Sequence, residues 1–247
     1  MRGWRAKIGL IIPSANVNME PEFYQMVPEG VTVHTSRMLI AQLSPEGLLA
    51  MSEHAVRAAL ELKTAGVDIL VFGCTSGSFV KGLGHDQEIV KNLEEATSIP
   101  AITTSTAFLE AFELCGIKKV SVASPYPDDI NLKLQAFLEQ NGYQVFQLKG
   151  LGLGKREKIF PLSNREISRI GIQEPYVAYK LVRTLYSDDA DGFFISCTNF
   201  RSIEIIATLE QDLGKPVVSS NQASLAIALK RLGIKKTVKG YGMLFDR

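Results

Sequence analysis

No stretch of this sequence is apolar for anything near the roughly 20 residues that a bilayer-spanning helix needs, so an integral membrane helix is not expected. The start, MRGWRAKIGLIIPSAN, is basic, but its apolar run is only Ile8 to Ile12, interrupted by Gly9 and ended by Pro13. A secretory leader needs a run of about 7–15, so the segment reads as a first β-strand instead. Excess charge is lacking too: 27 basic residues face 26 acidic ones, for a net charge of +1. That balance gives no electrostatic footprint for nucleic acid or an anionic membrane. Cysteine is scarce and odd in number, with only Cys74, Cys115 and Cys197. The count argues against a disulfide framework. Zinc is disfavoured as well, because there is no C-x-x-C pair and His34, His54 and His85 form no ligand cluster. The expected compartment is the cytoplasm, where thiols stay reduced. Apolar material is ample: 46% hydrophobic residues in a 247-residue chain suffice for two cores of about 120 residues each.

The chain is written twice. AGVDILVFGCTSGSF is followed by IPAITTS and LCGIKKVSV; DADGFFISCTNFRS is followed by KPVVSSN and RLGIKKTV. The openings correspond as well, KIGLIIP at residues 7–13 and KVSVASP at 119–125. Internal similarity of this kind marks a duplicated unit. The expected division is an N-terminal half over 1–117 and a C-terminal half over 118–247, with the C-terminal segment able to cross back onto the first.

Apolar β-type runs at Ile8–Ile12, Val31–Arg37, Ile69–Phe72, Ala101–Thr103, Val120–Ala123, Gln144–Lys149, Gly192–Ser196 and Val217–Ser219 alternate with helical patterns. Those patterns span Pro45–Ala65, Gln87–Ser98, Ser105–Leu114, Asp128–Asn141, Ile172–Leu185, Arg201–Leu213 and Gln222–Leu232. Such alternation predicts an α/β fold: two pseudo-symmetric, doubly wound parallel-sheet halves with a cleft between them. Ligands bind outside the carboxyl ends of such strands. Cys74, Cys197, Ser14 and Asn16, and Tyr126 all fall at that edge.

A free cysteine is usually a small buried hydrophobe. Two cysteines at equivalent points of a repeat, each followed by Thr at a strand-to-helix turn, point instead to chemistry. The thiolate is the reactive form, and Thr75-Ser76-Gly77 and Thr198-Asn199 offer backbone N–H groups and hydroxyls that bind anions. One thiol serving as nucleophile or base and the other as proton donor suits a small carboxylic acid. Cys115 precedes a capping Gly116 in FLEAFELCG and reads as core filler.

Paired Cys-Thr turns on a duplicated α/β chain resemble the Asp/Glu racemase superfamily. IIPSANVNMEPEF, SPYPDDIN and LSNREISRI are similar to segments of its maleate cis–trans isomerase and arylmalonate decarboxylase branch. The resemblance spans the chain. It implies a cofactor-independent isomerase in which Cys74 adds to maleate and Cys197 supplies a proton, releasing fumarate. It also implies carboxylate binding by Asn16, Tyr126 and Asn164, with Ser14, Thr75, Ser76 and Thr198 nearby. The branch's decarboxylases carry glycine in place of the first cysteine, so Cys74 argues against simple decarboxylation. CTNFRSIEII departs from the isomerase wording; there Arg201 reads either as an additional carboxylate anchor or as an exposed helix residue. Asn16 alternatively caps a helix starting near Met19, Tyr126 is alternatively a turn residue, and Asn164 alternatively caps the turn before Glu166. GLGLGK lacks phosphate-loop spacing and reads as a flexible loop, a lid over the cleft, while His85 reads as a loop residue.

A racemase, epimerase or decarboxylase acting on a small amino acid or substituted malonate is the alternative enzyme. A two-lobed binding protein is the non-enzyme alternative, which the mirrored cysteines oppose. The expected partner is a small carboxylate. The apolar face of SLAIALKRL permits a homodimer or higher homo-oligomer.

Overall fold

The computed structural model describes residues 2–154, 168–234 and 239–247. The first sheet consists of β1 (Ala6–Pro13), β2 (Val31–Met38), β3 (Ile69–Phe72) and β4 (Ala101–Thr103), in the order β2-β1-β3-β4. The second repeats it with β5 (Lys119–Ser124), β6 (Gln144–Gly150), β7 (Gly192–Ile195) and β8 (Val217–Ser219), in the order β6-β5-β7-β8. Every pairing is parallel. The central strands ILVF and GFFI are buried throughout, as strands covered by helices on both faces must be.

The duplication holds at the level of single bonds. Beyond β3 the Gly73 N–H donates to the Ile11 carbonyl at 2.7 Å, and beyond β7 the Ser196 N–H donates to the Ala123 carbonyl at 2.9 Å. Each ladder thereby runs one residue further and delivers a cysteine to the carboxyl edge. The helices that follow the outer strands, α6 (Thr104–Cys115) and α10 (Ser220–Arg231), both open with reciprocal capping boxes, Thr103 with Thr106 and Ser219 with Gln222. α6 and α10 pack on each other. An aromatic cluster joins the halves further: the Phe108 ring lies 4.6 Å from that of Phe194 and 6.1 Å from that of Phe137.

Five sequence expectations need correction. The expected helix over 45–65 is two, α2 (Pro45–Ser52) and α3 (Ala55–Thr64), because α3 packs on β1 and β2 while α2 lies over the short helix α4 (Thr75–Phe79). The pattern at 172–185 becomes α8 only from Pro175 to Arg183, since proline is tolerated in the first turn and not inside. The pattern at 201–213 opens as a 3-10 turn over Ile203–Ile205 before α9 (Ile206–Leu213). The apolar side of α10 is spent inside the chain, with Leu225, Ile227, Ala228 and Leu229 all buried, and is not the exposed apolar face expected. The remaining helices are α1 (Met19–Met26), α5 (His85–Thr97) and α7 (Asp128–Gln140). His85 opens α5 and is buried rather than lying in a loop.

Candidate active site

Both repeat cysteines line one cleft, with an empty volume of about 440 Å³ that is partly continuous with solvent. Cys74 occupies the N-cap position of α4 and its Sγ accepts the Gly77 N–H at 3.4 Å. A Cβ at Gly77 would sit 3.0 Å from that sulfur and 3.3 Å from Met51 Cε, so a larger residue there presses on the thiol. The Cys74 thiol is pushed up to about 11 by burial, against the pull of the Gly77 N–H and the Ser76 hydroxyl.

Cys197 sits at φ +107°, a region that L-residues rarely adopt. Such a backbone costs about 1–3 kcal/mol and persists only where its surroundings hold it. Here its N–H donates to Ser220 Oγ at 3.0 Å, and the same oxygen receives the Thr75 hydroxyl at 3.0 Å. Ser220 therefore ties the two cysteine turns together. Burial pushes the Cys197 thiol up to about 12; the Asn199 N–H and the Tyr126 hydroxyl lower it, and a charged Cys74 raises it further.

The first-half loop after β1 locks onto the second cysteine's turn. Asn16 Oδ1 accepts the N–H groups of Asn18 at 3.1 Å and Met19 at 3.0 Å, so it does cap the start of α1. Its Nδ2 donates to Thr198 Oγ1 at 2.9 Å, and that hydroxyl donates to the Gly73 carbonyl at 3.2 Å. Asn16 thus joins both halves while lining the cleft with Thr75, Ser76, Tyr126 and Thr198. Tyr126 is buried with its hydroxyl facing Cys197 but in no well-formed hydrogen bond among the described residues. Burial first, then a charged Cys197, hold its phenol well above the usual range. Its carbonyl accepts Asn131 Nδ2 at 3.0 Å and the Gly152 N–H at 3.2 Å.

Two predicted site residues are not brought to the cleft lining. Ser14 stands just behind it, its Oγ accepting the Ile40 N–H at 3.1 Å and its N–H donating to the Met38 carbonyl at 2.7 Å. Arg201 is engaged outside, with Glu204 at 2.6 Å and Glu174 at 3.5 Å. Asn164 lies outside the described residues. The expectation of a free lid at GLGLGK also changes: Leu151, Gly152 and Leu153 donate to the carbonyls of Ser124, Tyr126 and Pro125, while Lys155 lies outside the described residues. A Cβ on Gly150 would come within 2.5 Å of the Tyr126 carbonyl and 2.2 Å of Asn131 Nδ2. Gly150→Ala is therefore expected to lower stability by about 1–3 kcal/mol, read as a shifted urea midpoint with unchanged slope; an unshifted midpoint would mean the Tyr126 turn is free to move.

Sequence reasoning missed the apolar wall of Ile40, Leu43, Leu48 and Ile170 and the polar Ser168. Nothing in a single sequence separates a wall leucine from a core leucine. Among the described residues the lining contains no charged side chain, so those residues meet an anion with N–H and hydroxyl groups. Among the described residues no three His, Cys, Asp or Glu side chains gather as a metal site.

A family model described as arylmalonate decarboxylase matches residues 8–245. The chain belongs to the arylmalonate decarboxylase family. Within reach of that family, a maleate isomerase of Pseudomonas putida is 29% identical over 253 residues, covering 97% of each chain. The arylmalonate decarboxylase of Bordetella bronchiseptica is 29% identical over 240 residues, covering 97% of this chain and 96% of its own. The crystal structure of a maleate isomerase from Pseudomonas putida S16 with maleate superposes with a TM-score of 0.88 at 25% identity, covering 97% of each chain. This member of the family is an enzyme with both isomerase and decarboxylase relatives, so the reaction has to be argued from its own cleft.

Proposed function

We propose that this enzyme converts maleate, or a closely related small cis-dicarboxylate, to the trans isomer without a cofactor, using Cys74 and Cys197 as opposed acid–base and nucleophilic groups. The observation that carries this reading is the presence of both repeat cysteines on one largely buried cleft. Cys74 as thiolate adds to C2, forming the S–C bond, and the π pair moves to C3, which takes the proton of Cys197. The central bond is then single and rotates. Cys197 removes a proton from C3, the double bond re-forms and Cys74 leaves as thiolate, so nothing is consumed. Asn16, Thr75, Ser76, Tyr126 and Thr198 are assigned to the carboxylates, and Asn164 joins them on resemblance. Ser14 and Arg201 are assigned to shaping the surrounding loops. A cytoplasmic site of action fits two thiols that must stay reduced. No helix among the described residues is long and apolar enough to cross a membrane.

Both thiols sit above the ordinary cysteine value, so little thiolate exists at neutral pH. The rate is expected to climb with pH as Cys74 ionises toward about 11, and to fall only when Cys197 loses its proton near 12. Initial rates across the range where the fold persists check this; a plateau already reached near neutrality would contradict it.

The apolar wall of Ile40, Leu43, Leu48 and Ile170 favours a second reading, decarboxylation of a substituted malonate with Cys197 alone as proton donor. Proton NMR of the reduced protein in heavy water separates the two. Maleate giving fumarate supports the isomerase, whereas inert maleate with loss of carboxylate from phenylmalonate supports the decarboxylase. Exchange of the α-proton of free amino acids would instead indicate a racemase.

A further inference from the structure

Glu22 is an acid in an unexpected place. It lies on α1, in the first half, with 2% of its surface exposed, and no step of the proposed reaction uses it. Its Oε1 accepts the N–H groups of Ser202 at 2.9 Å and Ile203 at 3.4 Å, and its Oε2 accepts Asn221 Nδ2 at 2.5 Å. That same Nδ2 also donates to the Thr198 carbonyl at 3.0 Å. One carboxylate from the first half therefore grips the turn that carries Cys197 at its far end directly, and through Asn221 just beyond the cysteine.

We propose that Glu22 is a positioning residue for Cys197: its ionised carboxylate holds Asn221, Ser202 and Ile203 so that the 197–203 turn keeps the strained conformation presenting the thiol. The proposal rests on the functional reading above for the role of Cys197, and on geometry for the role of Glu22. All three groups facing the carboxylate are N–H donors. The ionised form satisfies them; a protonated form puts a donor against donors. The available acceptor is Asn221 Oδ1, which is buried without a partner among the described residues. Rotating that amide to receive the Glu22 proton removes Nδ2 from the Thr198 carbonyl and sets two oxygens against each other. Protonation of Glu22 thus releases one of the anchors of the Cys197 turn.

Burial has already brought Glu22 up to about 7, with its hydrogen bonds pulling the other way, so the two forms interchange in the working range. The charged groups around it belong to several elements. Glu204 and Arg201 come from the following turn, and Glu204 adds to the upward shift. On the β2 side Arg37 is taken by Glu20 at 2.8 Å. α10 brings only Asn221, because its Lys230 and Arg231 lie in the last turn and bind Glu110.

The test is the pH dependence of iodoacetamide alkylation of the reduced full-length protein, followed separately at Cys197 and Cys74 by peptide mapping. Thiolate formation alone raises each rate about tenfold per pH unit below the thiol pKa. The Cys197 profile is expected to carry an additional step of about threefold or more centred near pH 7, absent from Cys74. Glu22→Gln is expected to remove that step, and so is Asn221→Ala, which leaves the carboxylate in place. A wild-type Cys197 profile without the step overturns the proposal even if neither variant folds. A step that survives in Glu22→Gln overturns it equally. The measurement needs no substrate, so failure of maleate turnover would sink the isomerase reading and leave this result standing, and the reverse.

Discussion

Cys74→Ala is expected to form no measurable fumarate from maleate, a loss of at least about a thousandfold. The argument is structural as much as chemical. Among the described residues lining the cleft, only sulfur combines nucleophilicity with a position at the end of a central strand, and the others are hydroxyls, amides and apolar side chains. Removing the nucleophile leaves the cis double bond conjugated and unable to rotate. Cys197→Ala is expected to lose a comparable factor for a different reason, because the adduct at Cys74 gains its C3 proton only slowly from solvent and then lacks the base that removes it again. Serine at 197 keeps the volume and the hydrogen-bonding turn, and separates loss of the thiol from loss of the strained turn. Both variants should retain the wild-type circular dichroism spectrum. Residual turnover within tenfold of wild type for either cysteine variant would remove that cysteine from the reaction.

The second large effect concerns stability. Phe108→Ala is expected to cost about 3–5 kcal/mol, the usual range for a large buried aromatic. Phe108 is fully buried, and its ring meets Phe112 at 5.6 Å within its own helix and Phe137 and Phe194 across the repeat boundary. The cavity left behind therefore weakens both sheets at once. For a chain of this size the melting temperature is expected to fall by about 10 °C, still in one calorimetric transition. A loss below about 1 kcal/mol, or a split into two transitions, would show that the halves hold themselves together independently.

Much of the fold is legible in the sequence because the strands are short, apolar and bounded by Gly, Pro or hydroxyl residues. All eight expected strands form, within two residues of the expected ends. The duplication made the Cys-Thr turns visible, since a residue type repeated at the same point of two units stands out where a lone cysteine does not. Helix ends were harder. Ser202 reads as helical, yet its backbone at φ −156° and ψ −12° is not helical and its N–H, with that of Ile203, goes to Glu22, a tertiary bond that no local pattern encodes. Glu20 and Glu22 look alike in MEPEF, but the helical turn sends Glu20 to Arg37 at the surface and Glu22 into the interior. Arg201 is a similar case: a guanidinium beside a cysteine turn suggests an anion anchor, and two neighbouring carboxylates engage it instead. Asn16 shows that binding and capping are not exclusive, because its oxygen caps α1 while its nitrogen reaches Thr198.

The most direct test of two opposed thiols is to incubate Cys197→Ser with maleate, quench with acid and map the modified peptide by mass spectrometry. The account predicts one maleate unit attached as a thioether at Cys74, because addition at that sulfur goes forward, slowly protonated by solvent, while the base for the return and elimination steps is missing. An unmodified Cys74 in a folded protein, with phenylmalonate decarboxylated by the wild type, would contradict it.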